Sequence, residues 1–438
     1  VASGRRMDAN GIYHVSFNLI NSVDDQPSPQ VSVQAQVLDS GGNAIGSIAS
    51  AAMIKPGTTV FGVADGANPL EVVVPTFSIK TIQQGTPVSS RNNTITVTLK
   101  ANYDLPDTST VTISGLTGSI TDDSASLNIT STDNRLGTTA AWTKSTGTLL
   151  LTAENGGPIG QTAYTVTFVL TNPAQSQESP GVSVMAEISG NLGTLVEKAM
   201  VKTGQPLYGV SAGYDPLKVL VPEITVKSIE QLTPVAGTTN TLTVTLNVNY
   251  DLATGSKVTI SGLTGSQTSQ TASLSIAVME GSLSSSVLGS TGGFDSQNLV
   301  LTAASPNSPS SGIDYTVAFN LVNGASSQGS PTIQISASIV DTFSAPLLDI
   351  SATNMTKNSA GTREGVAGGA EALYIIEPAF TVKSIRQFQP LTNIENTIKV
   401  TITTNCNFRA GNCSFGNSQP MGLSCWEQFR PSPRGPCG

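Results

Sequence analysis

TVTISGLTGS at residues 110–119 returns as KVTISGLTGS at residues 257–266, an offset of 147 residues. Two more pairs keep that offset: Asn102-Tyr103-Asp104-Leu105 with Asn249-Tyr250-Asp251-Leu252, and Thr86-Pro87-Val88 with Thr233-Pro234-Val235. Self-similarity at a fixed period is the signature of repeat architecture. A second block occurs three times, as IYHVSFNLIN at 12–21, AYTVTFVLTN at 163–172 and DYTVAFNLVN at 314–323. Each copy leads into a loop ending in Ser-Pro. A third block, VVVPTFSIKTI at 72–82, returns at 219–229 and 375–385.

Within the blocks, Val, Ile and Leu alternate with Thr and Ser. That period fits a pleated, half-buried strand. Gly, Pro, Asn and Asp clusters separate the runs, including Asn92-Asn93, Pro106-Asp107 and Gly115 to Gly118. Short strands punctuated this way indicate a sandwich. The expected strands are Phe77–Ile82, Thr94–Lys100, Thr110–Ser114, Ala125–Ile129, Thr148–Thr152, Tyr164–Leu170, Val182–Ile188, Val196–Val201 and Leu217–Val221. One nine-strand sandwich per repeat is the first reading and two small sandwiches the alternative. No stretch reads as a convincing helix.

The fold class is therefore all-β, with tandem immunoglobulin-like β-sandwich repeats of about 150 residues and a short Cys-rich end. The proline linkers at Pro75, Pro222 and Pro378 divide the chain into 1–76 (second half of a repeat), 77–222 and 223–379 (complete repeats), 380–405 (start of a further repeat) and 406–438 (Cys-rich). Linkers with so little slack predict a stiff string of beads. The half-repeats at 1–76 and 380–404 raise two expectations: a segment of a longer polypeptide, or a tail that completes the head of a neighbouring subunit by strand addition.

Composition narrows the function. Only 11% of the 438 residues are charged, against about 25% in ordinary globular proteins. With 21 basic and 29 acidic residues and no basic run, a nucleic-acid groove is not expected. No apolar run reaches the length of a membrane span. No basic start with an apolar core and cleavage site opens the sequence. A single histidine, His14, stands where the other copies carry Thr165 and Thr316, which argues against catalysis or metal binding there. No phosphate loop, nucleophile elbow or zinc motif recurs, so no catalytic residue, metal ligand or cofactor is expected.

Positions shared by the copies read as scaffold. Tyr13, Tyr164 and Tyr315 fit a corner tyrosine whose hydroxyl bonds nearby backbone. Gln26, Gln177 and Gln328 fit loop-bracing amides. Gly115/Gly262 and Gly118/Gly265 fit turns with positive φ. Asp104 and Asp251 fit side-chain caps of their own turn. Trp142 reads as core.

The four cysteines, Cys406, Cys413, Cys425 and Cys437, lie in the last 33 residues at a spacing that is not a zinc pattern. Two disulfides of open connectivity are expected. Asn92, Asn128, Asn354 and Asn412 head N-glycosylation triplets. Together these features favour a secretory route, with covalent glycans on an uncharged surface.

The succession VTISGLTGS … LLLTA … YTVTFVLTN … Ser-Pro over residues 1–404 resembles the large extracellular repeat proteins of eukaryotic algae, among them the immunoglobulin-like repeat glycoproteins of mastigonemes, the hairs on flagella. The resemblance implies a glycosylated, non-enzymatic protein of an extracellular filament, flagellar hair or cell coat, partnered by its own copies or other coat proteins. It carries over no functional residue. A tandem-sandwich adhesin or carbohydrate-binding protein is the alternative. A hydrolase using these repeats as spacers is the third reading.

Overall fold

A computed structural model describes residues 6–278, 287–304, 308–340 and 348–407. Their secondary structure is strand, apart from two short 3-10 turns at Thr132–Asn134 and Ser189–Asn191. The chain divides into two compact units, Val1–Pro222 and Glu223–Gly438, each holding one complete repeat and one half-repeat.

The first unit opens with the hairpin β1 (Ser32–Leu38) and β2 (Ala44–Ala52). Its complete repeat runs through β3 (Phe77–Gln84), β4 (Asn92–Ala101), β5 (Thr110–Ser114), β6 (Ser124–Ser131) and β7 (Thr139–Thr143). It continues with β8 (Thr148–Thr152), β9 (Ala163–Thr171), β10 (Ser183–Ile188), β11 (Gly193–Ala199) and β12 (Val201–Lys202). These ten strands form one hydrogen-bonded ribbon in the order β11-β10-β5-β8-β7-β6-β9-β4-β3-β12. The ribbon folds over at β6. The first part of β6 pairs with β7 and its last three residues, Ile129–Ser131, pair with β9. The result is a single sandwich, immunoglobulin-like in its two packed, mostly antiparallel layers.

Alternation explains which side chains fill it. Along β4, Ile95, Val97, Leu99 and Ala101 point inward and are buried, while Thr94, Thr96, Thr98 and Lys100 face outward. They meet Val111, Leu149 and Val184 of the opposite layer in one core. Each such side chain, fully buried, stabilises the fold by about 1.5–3 kcal/mol. The outer faces carry hydroxyl pairs across strands, such as Ser114–Ser183 at 2.8 Å and Thr98–Thr165 at 3.5 Å.

The second unit repeats this plan. Its strands are β13 (Ile224–Gln231), β14 (Thr239–Val248), β15 (Lys257–Ser261), β16 (Thr271–Val278) and β17 (Thr291–Phe294). They are followed by β18 (Leu299–Thr302), β19 (Tyr315–Val322), β20 (Gln334–Ile339), β21 (Leu348–Asn354) and β22 (Thr356–Lys357), in the corresponding order. A last hairpin, β23 (Phe380–Gln387) and β24 (Ile398–Thr404), carries the bulge that β3 and β4 carry.

One sandwich per repeat is the observed arrangement, with ten strands in place of nine. The strands missing from the sequence reading are β7 and the two-residue β12, whose Val201 is expected as the end of the strand before it. The expected strand Leu217–Val221 is not one: Val219 and Leu220 make isolated bridges to Gln177 and Val88. Leu217 has a φ of 53°, which interrupts the extended run. Asn92 and Asn93, read as a turn, are the first two residues of β4.

Candidate functional site

The features that recur outside the sandwich cores gather at the joints between repeats, one within each unit. In the first unit, Val60 and Val63 exchange backbone hydrogen bonds of 3.1 and 3.0 Å around Phe61 and Gly62. Both central residues have positive φ, 48° and 75°, as a type I′ hairpin tip requires. The tip rests on the Asn-Tyr-Asp-Leu turn of the following repeat. The Asp104 N–H donates to the Phe61 carbonyl at 2.9 Å. The Phe61 ring stacks on Tyr103, with centroids 5.3 Å apart and planes 23° apart. A Cβ on Gly62 would sit 2.4 Å from Asp104 Oδ1 and 2.9 Å from Gly160 Cα, so the approach requires glycine.

The linker itself is held from both sides. The Val74 N–H donates to the Asp25 carboxylate of the preceding half-repeat. Asn102 then straddles Pro75. Its side-chain amide donates to the Val74 carbonyl at 2.9 Å, and its side-chain carbonyl accepts from the Thr76 N–H at 2.8 Å. Asn102 N–H closes the clasp on the Thr76 carbonyl at 3.0 Å. Proline suits the middle of this clasp because it has no N–H left to satisfy and fixes its own φ.

The joint in the second unit keeps the backbone pattern and changes the side chains. Glu364 and Gly365 form the tip, with φ of 46° and 75°. The Asn407 N–H donates to the Glu364 carbonyl at 2.7 Å. Asn405 straddles Pro378, bonding the Glu377 carbonyl and the Ala379 N–H at 2.8 Å each. The Glu377 N–H donates to Ser327 Oγ at 2.9 Å. Glu364 and Cys406 stand where the first joint has Phe61 and Tyr103.

Burial at the first joint perturbs one group. Burial, and then the neighbouring Asp104 carboxylate, push the Tyr103 hydroxyl above its ordinary pKa of 10.0. Elsewhere, hydrogen bonds from Asn43 and Asn298 hold the carboxyls of Asp39 and Asp295 below the usual carboxylate value in two exposed turns.

The sequence-expected scaffold residues are where their roles require. The hydroxyls of Tyr164 and Tyr315 accept from the N–H of Ile159 and Ser310 at 3.0 and 2.9 Å. Gln177 donates to the carbonyls of Thr117 and Leu217, and Gln328 to those of Thr264 and Leu373. A Cβ on Gly118 would fall 2.0 Å from Gln177 Oε1, which is why the GLTGS glycine recurs. Trp142 is core, and its ring N–H donates to the Thr121 carbonyl at 3.1 Å. Asp104 and Asp251 do not cap their own turn. They reach across to accept from the N–H of Gly160 and Ser311, residues more than fifty positions later in the chain.

His14 is exposed, as are Asn92, Asn128 and Asn354. Cys406 is half-buried and has no disulfide partner among the described residues. Cys413, Cys425, Cys437 and Asn412 lie outside the described residues. Among the described residues no three His, Cys, Asp or Glu side chains gather as a metal site would need. A void of about 10 Å³ beside Phe77, Val111 and Tyr164 has room for about one water and no ligand.

One recurrent constellation escaped the sequence reading. Gln84, Asn93 and Asn172 are buried amides in contact. Asn93 Nδ2 donates to Gln84 Oε1 and Asn172 Oδ1 at 2.8 Å each. Gln84 then donates to the carbonyls of Gly213 and Lys218 and accepts from the Leu217 N–H. Asn172 donates to the carbonyls of Thr86 and Val88. Gln231, Asn240 and Asn323 reproduce the lock in the second repeat. Buried polar groups must be paired, and here the pairing fastens the start of the repeat to its end. The spacing of Gln84 to Asn93, kept at Gln231 and Asn240 and again at Gln387 and Asn396, is the signal that was present.

No family model matches the chain, and no curated protein matches it. Among solved structures, similarity is found to the C-terminal domain of the antigen I/II polypeptide BspA of Streptococcus agalactiae. It is 9% identical, covers 65% of this chain and 100% of that one, and has a TM-score of 0.35. The C-terminal domain of the antigen I/II-family protein AspA of Streptococcus pyogenes gives 10% identity, 64% and 99% coverage and a TM-score of 0.33. A serine-rich repeat protein of Streptococcus agalactiae gives 10% identity, 64% and 93% coverage and a TM-score of 0.18.

Proposed function

We propose that this chain is a structural, non-enzymatic repeat protein of an extracellular filament, flagellar hair or cell-surface coat, assembled with its own copies or other coat proteins and decorated with glycans. The observation that carries this reading is the joint. The recurrent Asn clasp around Pro75 and Pro378 fixes the backbone on both sides of each proline. Such a linker transmits force between consecutive sandwiches without unwinding. The residues the copies share serve these clasps, the corner tyrosines, the glutamine braces and the amide lock. A surface with few charges supports the same reading, because it repels neighbouring copies weakly. The exposed Asn92, Asn128 and Asn354 stand on the outer faces of β4, β6 and β21, where a glycan meets no core.

Immunogold electron microscopy of the source cells, with antibody raised against this chain, tests the proposal. Label along flagellar hairs, filaments or the cell coat is expected. Label confined to the cytoplasm overturns it. The adhesin alternative keeps the same scaffold and adds a binding surface. Saturable binding of the purified chain to a glycan array would favour it.

A further inference from the structure

Each complete repeat fastens its last residues beside its first strand. In the first repeat the end segment 213–221 lies along residues 84–89, the end of β3 and the turn after it. The Gln84 N–H donates to the Tyr214 carbonyl at 2.9 Å, and its side-chain amide donates to the carbonyls of Gly213 and Lys218 at 2.7 and 2.8 Å. The Leu217 N–H returns to Gln84 Oε1 at 2.8 Å. Further along, the Leu220 N–H donates to the Pro87 carbonyl at 2.7 Å and the Ser89 N–H to the Leu220 carbonyl at 3.0 Å. Gln84, Val88, Leu217 and Val219 are buried, where low dielectric strengthens such bonds. On its other side the segment exchanges two backbone bonds of 2.9 Å between Val219 and Gln177.

Both pairings of the repeat's end with its beginning are parallel. Val201 of β12 lies opposite Thr81 of β3 and Lys202 opposite Ile82. Leu220 makes a parallel bridge with Val88. The chain therefore enters the repeat at Phe77 and leaves it at Val221 heading the same way. Opposed pulls on those two residues slide the parallel segments past each other. Hydrogen bonds across a sliding pair are loaded together, whereas a pair peeled from one end gives way bond by bond.

The second repeat keeps every part. The Gln231 N–H donates to the Ala370 carbonyl at 3.0 Å, and its side-chain amide donates to the carbonyls of Gly369 and Tyr374. The Leu373 N–H returns to Gln231 Oε1. The Ile376 N–H donates to the Pro234 carbonyl at 2.8 Å and the Ala236 N–H to the Ile376 carbonyl at 3.0 Å. β22 runs parallel to β13, and Ile376 parallel to Val235.

We propose that tension along the chain crosses each complete repeat through this clamp. In the first repeat it runs from Phe77 along β3 and passes across residues 84–89 to the end segment 213–221. In the second it runs from Ile224 along β13 and passes across residues 231–236 to 369–377. The chain between, 90–212 in the first repeat, lies off the direct line, so the sandwich opens only after the clamp breaks. Gln84 and Gln231 are its central ties. The clamp's use to an assembly rests on the scaffold reading, but the load path belongs to each repeat, and measured on the purified chain it stands or falls apart from where the chain is found in the cell.

The 438-residue chain, tethered through peptide tags at its two ends in reducing buffer, is held at constant force in optical tweezers. Forced unfolding reads the unfolding rate. The parent should give two long steps, one per complete repeat, each releasing roughly 450–550 Å of contour length with no partial opening before it. The repeat 223–379 is the longer by about 40 Å, which tells the two steps apart. Gln84→Ala should shorten the lifetime of the first repeat about tenfold or more and leave the second unchanged. Phe168→Ala removes a core side chain that is still buried when the clamp breaks, so it should change that lifetime by less than about twofold, although it weakens the repeat against denaturant. Gln231→Ala and Phe319→Ala should behave alike in the second repeat. Complete repeats of the parent that lengthen in several short steps would overturn the proposal, whether or not a variant folds. So would a Gln84→Ala lifetime equal to the parent's, or a Phe168→Ala lifetime shortened as much as that of Gln84→Ala.

Discussion

Residues 12–20 and β9 carry the same pattern, yet β9 is the buried centre of a layer and residues 12–20 lie unpaired. The difference separates what is local in this fold from what is not. The corner tyrosine is local. Tyr13 accepts a hydrogen bond from the Asp8 N–H at 2.7 Å even without its sandwich, just as Tyr164 does within one. The hairpins β1–β2 and β23–β24 also keep the bulges of their complete counterparts. The layer is not local. A central strand such as β9 is held by β4 on one side and β6 on the other, and these are contributed from 30 to 80 residues away. Alternation supplies the faces, but only a partner supplies the strand.

Phe168 and Phe17 break this comparison most directly. Phe168→Ala should destabilise the first complete repeat by about 3–5 kcal/mol through lost burial and a cavity. Phe17→Ala, at the equivalent open position, should change unfolding by less than about 0.5 kcal/mol under conditions where the chain is monomeric. Denaturant titrations of the two variants give both numbers. Equal effects would remove the distinction between complete and half repeats.

A smaller contrast is expected in the lock. Asn93→Ala takes a donor from Gln84 Oε1 and Asn172 Oδ1 and the acceptor from the Thr86 N–H inside the protein, at a cost of about 3 kcal/mol. Asn396→Ala frees Gln387 Oε1 and the Gln389 N–H at an exposed site, where water replaces the lost partner, and should cost about 0.5 kcal/mol. Thermal unfolding of each variant measures the gap.

At the joints the effect should be smaller again. Asn102→Ala removes both side-chain bonds that straddle Pro75, worth about 1–2 kcal/mol in all. Its clearest sign is faster hydrogen exchange of the Thr76 amide, with the exchange of β4 unchanged. Asn405→Ala should do the same for Ala379.

The smallest effect is spectroscopic. Tyr103 is protected by Phe61, so Phe61→Ala should bring the tyrosine pKa down toward 10.0, read from tyrosinate absorbance. The sign follows from the raised folded value. Any stability the stack supplies is present below pH 10.0 and is lost as pH rises through the higher folded pKa. The second joint, with Glu364 and Cys406 in these places, has no such tyrosine to titrate.

The strands were legible wherever two or three copies repeated an apolar alternation, and so were the residues that all copies share, Tyr164 and Gln177 among them. Thr139–Thr143 was missed because a five-residue strand containing two alanines carries little alternation. Leu217–Val221 looked like a strand because its apolar pattern continues through a residue that adopts positive φ to offer its N–H to Gln84. Asn93 looked like a turn residue, since Asn-Asn is a turn signal when its surroundings are unknown. Its burial depends on Gln84 and Asn172, which are distant in sequence, and no local rule reports such a meeting. The joint escaped for the same reason: Phe61 at a position that favours glycine makes sense only beside Tyr103 and Asp104.

We propose a scaffold protein of an extracellular assembly, its proline linkers clasped by Asn102 and Asn405. Immunogold labelling of intact cells tests it most directly. Gold particles are expected along filaments, hairs or coat outside the plasma membrane. Label restricted to the cell interior would contradict it.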